Sequence, residues 1–163
     1  MASAIIALGG NVGDVRATFE KAITGICALA KAALLARSSD YMTLPWGDTD
    51  QPPFVNACIA IETDLAPLAL LAVMQKVEQA FGRDRSKERR WGPRPLDLDL
   101  IVYDDLTMER PELTLPHPSL FERAFVLVPL AEIAPDRIIA GRRVRDALAG
   151  LSTEGIQRLP DLD

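Results

Sequence analysis

An α/β architecture of the α+β kind, a mainly antiparallel sheet with helices packed on it, is what the sequence predicts. Three observations carry this. Segments alternating with period two are interleaved with segments whose apolar residues recur at helical spacing, in the order β-α-β-β-α-β. Each break between them is marked by Gly, Pro or an Asx residue. No repeat, linker or low-complexity stretch divides the 163 residues, so a single domain spanning 1–163 is expected.

Residues 4–8 read as a short strand, followed by a turn at Gly9-Gly10-Asn11-Val12-Gly13. Asp14 is a helix N-cap, and Phe19, Ala22, Ile23, Ile26, Leu29, Ala30, Ala33 and Leu34 form one helical stripe. A second strand is expected over residues 35–43, then an irregular loop, Pro45-Trp46-Gly47-Asp48-Thr49-Asp50-Gln51-Pro52-Pro53. Residues 54–62 read as a strand. Pro67 suits the first position of a helix, because its missing N–H would have no intrahelical partner there. Leu70, Leu71, Met74, Val77 and Phe81 give that helix its buried face, and Gly82 suits its C′ position. After a basic loop, residues 96–103 make the strongest strand in the chain. Pro116-His117-Pro118 breaks the chain, and residues 125–128 are either a fourth core strand or the start of a short helix. The tail beyond Pro135 carries little signal. This order is that of a split βαβ, ferredoxin-like sandwich.

Composition excludes several classes. No apolar run approaches the ~20 residues of a membrane span, and the opening Met1-Ala2-Ser3-Ala4 has no basic region of the kind that begins a signal peptide. Cys27 and Cys58 sit in apolar surroundings without a Cys-x-x-Cys, as reduced packing residues. A cytoplasmic protein with no membrane or nucleic-acid partner is expected, the latter because the net charge is −5. A monomer is expected. Charge is nonetheless unevenly spread. Arg83, Arg85, Lys87, Arg89, Arg90 and Arg94 crowd one loop, and Asp97, Asp99, Asp104 and Asp105 follow at once. A basic loop beside a carboxylate strand suits a polyanion carried with a divalent metal.

Four constellations carry chemistry. Asp97 and Asp99 alternate with leucines in Leu96-Asp97-Leu98-Asp99-Leu100, so they share a strand face, roughly 7 Å apart at Cα. Leu96, Leu98, Leu100 and Val102 are expected on the opposite face. Like charges on one face repel, which Mg²⁺ bridging phosphate oxygens would offset; solvated aspartates on a half-exposed strand are an equal alternative from the pair alone. The arginine forks of the 83–94 loop suit phosphate oxygens. Alone they also fit a solvated loop, although Trp91 in that loop needs something to cover it. No G-x-x-x-x-G-K-[ST] occurs, which excludes a P-loop. Phe54 and Asn56 share a face with Cys58; an aromatic ring and an amide together can stack on a flat heterocycle and pair with its edge, or simply begin a strand. His117, the one histidine, stands between two prolines, where it can donate to a phosphate or play a structural part; a zinc site is not expected, for want of partners.

Five segments together resemble the hydroxymethyldihydropterin pyrophosphokinases over about residues 4–135. They are Leu8-Gly9-Gly10-Asn11-Val12-Gly13-Asp14, Tyr41-Met42-Thr43-Leu44-Pro45 and Asp50-Gln51-Pro52-Pro53-Phe54-Val55-Asn56. The other two are the highly specific Arg90-Trp91-Gly92-Pro93-Arg94-Pro95-Leu96-Asp97-Leu98-Asp99, and Pro116-His117-Pro118 through Arg123-Ala124-Phe125-Val126-Leu127.

The resemblance implies a ferredoxin-like sandwich that moves the β,γ-pyrophosphoryl unit of ATP onto 6-hydroxymethyl-7,8-dihydropterin in folate biosynthesis, with AMP leaving. It implies that Asp97 and Asp99 hold two Mg²⁺ ions on ATP. It implies that Phe54 and Phe125 sandwich the pterin, Asn56 bonds its edge, and the backbone of Thr43, Pro45 and Trp46 completes the pocket. Gln75, Glu78, Arg83 and Arg85 are placed around the nucleotide and its phosphates, as are Trp91, Arg94, His117 and Arg123. Arg83, Arg94 and His117 would spread the charge that develops during transfer, and no side chain stands out as a general base, Asp97 being the nearest. The chain departs from the pattern at Gly10, where serine is usual. Glu112 and Pro118 stand where some members carry arginine and tyrosine, and the assignment of Lys87, Arg89 and Arg90 to phosphate stays open. Its length leaves no room for a second folate enzyme. The rival reading is a non-catalytic ferredoxin-like module that binds pterin or RNA.

Overall fold

The computed structural model describes residues 1–43, 50–82 and 94–162. The chain runs β1 (Ala2–Gly10), α1 (Val15–Leu29), β2 (Ala33–Arg37), β3 (Tyr41–Thr43), β4 (Phe54–Thr63), α2 (Pro67–Ala80) and β5 (Asp97–Tyr103). A small hairpin, β6 (Met108–Glu109) and β7 (Thr114–Leu115), leads through a 3₁₀ turn, Leu120–Glu122, into α3 (Ala124–Ile133). Then come the hairpin β8 (Ile138–Ile139) and β9 (Arg142–Arg143), α4 (Val144–Ala149) and β10 (Ile156–Arg158).

Among the described residues the main sheet is ordered β10-β3-β4-β1-β5, with β2 beside β4, and every pairing is antiparallel. Counting β2 and β3 as one interrupted strand, β4 lies between β1 and that strand, and β1 lies between β4 and β5. Each βαβ unit is therefore split by a strand of the other, which is the ferredoxin-like α+β fold expected. Alternation along β1 sends Ala4, Ile6 and Leu8 into a core with Phe19 and Ile26 of α1 and Leu70 and Met74 of α2. It sends Ile5 and Ala7 to the other face, under Leu127 and Leu130 of α3 and Val144 of α4.

Several expectations are corrected. Gly9 and Gly10 continue β1, paired with Asn56 and Val55, and the turn begins only beyond them. Helix α1 ends at Leu29, which is 49% exposed and off the buried stripe that closes at Ile26; Lys31 adopts φ 49°, and Ala33 and Leu34 belong to β2, where Leu34 is 44% exposed. Helical spacing persisted across a boundary that a left-handed residue sets. The expected strand 35–43 is broken at Ser38-Ser39-Asp40, whose polar groups are taken up by side-chain hydrogen bonds. Ser38 donates its N–H to Cys58 O and accepts from Cys58 N–H at Oγ, splicing the break onto β4. Asp40, almost fully buried, accepts from Arg16 Nε at 2.9 Å and Arg37 Nη1 at 3.1 Å. Residues 125–128 form the first part of α3, so the open choice there resolves to helix. The tail supplies β10, which covers the edge of β3, and Arg16 Nη2 donates to Pro160 O.

Asp14 caps α1 by accepting from Ala17 N–H, Pro67 opens α2, and Gly82 follows its end at φ 88°. Of the α2 face, Leu70, Met74 and Val77 are buried, whereas Leu71 and Phe81 are half-buried at its margin. Cys58 is buried and Cys27 half-buried, both as free thiols, each pushed up from its ordinary pKa by burial. Among the described residues no helix is long and apolar enough to cross a membrane.

Candidate functional site

Strand register brings separate motifs onto one line. Tyr41 of β3 faces Asn56 of β4, Asn56 faces Gly9 of β1, and Gly9 faces Asp97 of β5. One step along, Cys58 faces Ala7, and Ala7 faces Asp99. Since Ala7 and Cys58 belong to the core beneath α3, the period of two puts Asn56, Asp97 and Asp99 on that same face. At the centre of the row is a residue with no side chain. A Cβ on Gly9 would come within 3.0 Å of Asn56 Oδ1, so glycine keeps the space between Asn56 and Asp97 clear.

Asp97 and Asp99 share a face as the alternation predicts, and both are half-buried. Leu96, Leu98 and Leu100 fill the opposite core. Val102 does not join them. The register of β5 on β1 slips between Ile5 and Ile6, inserting Ile101 as an extra residue, so Ile101 and Val102 both pack beneath α3. A β-bulge resets the alternation beyond it. The bulge also serves the site, because Ile101 O accepts the His117 N–H at 2.9 Å, which fastens the Pro116-His117-Pro118 segment to β5.

His117 accepts the Ser119 backbone N–H at Nδ1, 3.1 Å away. Its neutral ring therefore carries the proton on Nε2. Burial, reinforced by the Arg123 guanidinium and opposed by Asp97, lowers its pKa to about 4. His117 is thus an uncharged Nε2–H donor at neutral pH. Arg123 Nη1 lies 3.8 Å from Asp99 Oδ2, and its guanidinium carbon 5.8 Å from the Phe125 ring centre. One arginine thereby links the carboxylate strand to the aromatic at the start of α3.

On the other flank, Asn56 is buried and donates from Nδ2 to Thr43 Oγ1 at 3.1 Å. Phe54 pairs with Thr43 and is half-buried, and Phe125 packs at the edge of the core beneath α3. The expected pterin residues Thr43, Phe54, Asn56 and Phe125 thus gather on the α3 side. Gln75 and Glu78 do not join that face, since α2 packs on the other. Gln75 is exposed, while Glu78 is 2% exposed and accepts the Leu98 N–H at Oε2, holding the start of β5 from behind. Arg94 lies three residues before β5 begins; its carbonyl accepts the Asn11 N–H at 2.9 Å and its N–H donates to Asn11 Oδ1 at 2.8 Å. Pro45, Trp46, Arg83, Arg85 and Trp91 lie outside the described residues, as do Lys87, Arg89 and Arg90 and most of both expected loops. Glu112 and Pro118 are exposed.

Two residues of the quoted segments acquire roles that composition did not signal. Asn11 is 3% exposed and Gln51 8% exposed, and Asn11 Nδ2 donates to Gln51 Oε1 at 2.7 Å. The only sequence signal was their occurrence in polar, Gly- and Pro-flanked stretches. Among the described residues no group of three or more His, Cys, Asp or Glu side chains is clustered as a metal site. Two half-buried carboxylates with a cation beside them fit a hard metal that keeps most of its ligands from phosphate and water.

Comparison with known proteins agrees with this arrangement. A family model described as 7,8-dihydro-6-hydroxymethylpterin-pyrophosphokinase (HPPK) matches residues 5–135. A 2-amino-4-hydroxy-6-hydroxymethyldihydropteridine pyrophosphokinase of Methylorubrum extorquens is 50% identical over 159 residues, covering 98% of this chain and 99% of the relative. Its counterpart in Pseudomonas aeruginosa is 43% identical over 156 residues, covering 95% of each chain. In fold, the chain is similar to a Plasmodium falciparum HPPK-DHPS crystal structure with pteroate, at a TM-score of 0.70 and 13% identity. That similarity covers 91% of this chain and 42% of the longer one, so this chain spans less than half of that solved protein. With the family model matching most of its length and relatives this similar end to end, the chain belongs to the 7,8-dihydro-6-hydroxymethylpterin-pyrophosphokinase family.

Proposed function

We propose that this chain, acting as a single catalytic domain, transfers the β,γ-pyrophosphoryl unit of ATP to the hydroxymethyl oxygen of 6-hydroxymethyl-7,8-dihydropterin, releasing AMP. The reading rests on one observation above others: the Tyr41–Asn56–Gly9–Asp97 row, which sets a heterocycle-binding amide and a carboxylate pair side by side with an open residue between them. Homologues so named span nearly the whole chain, which favours the enzyme over a pterin- or RNA-binding module.

In this reading the pterin lies on the α3 face. Phe54 and Phe125 stack against it, Asn56 pairs with its edge, and the backbones of Thr43, Pro45 and Trp46 close the pocket. Asn56 is already tied to Thr43, so its amide is oriented before ligand arrives. Asp97 and Asp99 would hold two Mg²⁺ ions, whose chemistry when bound is to neutralise and align phosphate oxygens. Arg123, beside Asp99, and Arg94, three residues before Asp97, would meet phosphate oxygens, as would Arg83 and Arg85, with Trp91 at the nucleotide. Glu78 sets the height of β5 from the opposite face of the sheet. His117, whose Nδ1 is taken by the Ser119 N–H, offers Nε2–H to a phosphate oxygen.

The test is to incubate protein, ATP, Mg²⁺ and hydroxymethyldihydropterin and identify the nucleotide product. AMP supports the reading. ADP would mean an ordinary kinase, and no product would leave a binding module. Omitting Mg²⁺ should abolish AMP formation.

A further inference from the structure

We infer that Asn11 is a positioning residue that couples the two substrate subsites, fastening the Gln51-Pro52 segment that leads into β4 to the segment that carries Arg94. The inference rests on the site reading above. Asn11 follows the last residue of β1 and is 3% exposed. Its Nδ2 donates to Gln51 Oε1 at 2.7 Å and to Pro52 O at 3.0 Å, just before Phe54 and Asn56 begin β4. Its Oδ1 accepts the Arg94 N–H at 2.8 Å, and its own N–H donates to Arg94 O at 2.9 Å, three residues before Asp97. Pro52 can offer only a carbonyl and the Arg94 N–H can only donate, so the orientation of the amide is fixed. No other side chain type of this size presents two donors and an acceptor on one plane.

Gly10 lets the segments meet. A Cβ there would lie 2.8 Å from Pro95 O and 3.2 Å from Val15 Cγ1, and a backbone oxygen cannot swing aside as a side-chain tip can. With glycine at 10, the Arg94–Pro95 backbone comes close enough for Asn11 to hold it twice. Binding at either subsite that orders its own segment is transmitted through one buried amide to the other.

Three variants separate this role from simple structural support, each read by AMP formation and by thermal melting. Asn11→Ala removes every side-chain bond and should raise the KM for ATP and for hydroxymethyldihydropterin together, each at least fivefold. Asn11→Asp keeps an acceptor for the Arg94 N–H but loses the donor to Pro52 O, for which a turned Gln51 amide cannot substitute. It should raise the pterin KM at least fivefold and leave the ATP KM within twofold. Gly10→Ala should do the reverse by displacing Pro95. If Asn11→Ala fails to fold, Gln51→Ala serves in its place, reproducing the pterin-side effect and adding little to Asn11→Asp. An effect of Asn11→Ala on one KM only, equal effects of Asn11→Asp on both, or full additivity of Gln51→Ala with Asn11→Asp would overturn the inference. Active wild type with unchanged Asn11 variants overturns the coupling alone, whereas wild type that makes no AMP overturns the site reading and the coupling with it.

Discussion

Gly9→Ala probes the geometry of the site at its least reactive residue. Neighbouring strands lie ~4.8 Å apart, so Asn56 and Asp97, one strand to either side of Gly9, have Cα atoms about 10 Å apart. That span is filled by whatever lies on the face above Gly9. A methyl group there would come within 3.0 Å of Asn56 Oδ1 and 3.9 Å of Val55 O. The Asn56 amide must yield, yet its Nδ2 is held by Thr43 Oγ1. Overpacking of this kind costs about 1–3 kcal/mol. Expressed in the bound state, that is roughly a 5- to 150-fold loss of kcat/KM. The clash is present without ligand as well, so stability should also fall, but by less than the rate does, because Gly→Ala removes unfolded-state entropy worth about 0.4–1 kcal/mol. The assay is kcat/KM for AMP formation beside a thermal melt. A folded Gly9→Ala protein with kcat/KM within twofold of wild type would refute the idea that the space between Asn56 and Asp97 is occupied by substrate. So would a loss of rate wholly matched by a loss of stability.

Asp97→Ala and Asp99→Ala are expected to abolish AMP formation at ordinary Mg²⁺ with the melting temperature kept or raised, since each removes one of two like charges on a strand face; near-normal turnover by both would exclude them as metal ligands. Phe125→Ala should weaken pterin binding and leave an ATP analogue almost unaffected, as one aromatic stack is worth about 1 kcal/mol beyond its area. Asn56→Ala should cost more, about 1–3 kcal/mol for an unpaired ligand edge, with Thr43 also losing its donor; calorimetric titration of each ligand decides both cases. Acid should loosen the junction of β3 and α3. Burial pushes the Glu132 carboxyl up, but the Tyr41 hydroxyl and the Ser39 N–H and hydroxyl together outweigh it and hold it below its ordinary 4.5. A depressed folded pKa means stability that is fully present above 4.5 and is lost as the pH falls through the folded value. Burial first, and then the Glu132 carboxylate, push Tyr41 up to about 12. Glu132→Gln should therefore flatten the melting temperature against pH below about 4.5, and an unchanged slope would remove Glu132 from the acid response.

Much of this protein is written locally. Asp14, Pro67 and Gly82 mark helix boundaries through their own hydrogen-bonding capacity or backbone freedom, and alternation alone put Asp97 and Asp99 on one face, because these depend only on neighbouring residues. The five motif segments likewise announced the family through their side chains. Long-range pairing decided the rest. Nothing near Ile101 signals an inserted residue, since a bulge is defined by the partner strand, and so Val102 turned to the face opposite the one its spacing implied. Helical periodicity ran on through Ala33 and Leu34, but pairing with β4 claimed them for β2. Gly9 read as a turn residue until its register with Asn56 and Asp97 made it the floor of a site. Asn11 read as loop polarity until Gln51, Pro52 and Arg94, distant in sequence, closed around its amide. A sequence states what each residue can donate, accept or bury; which partner, tens of residues away, takes up that capacity is decided only when the strands are in register and the core beneath them is packed.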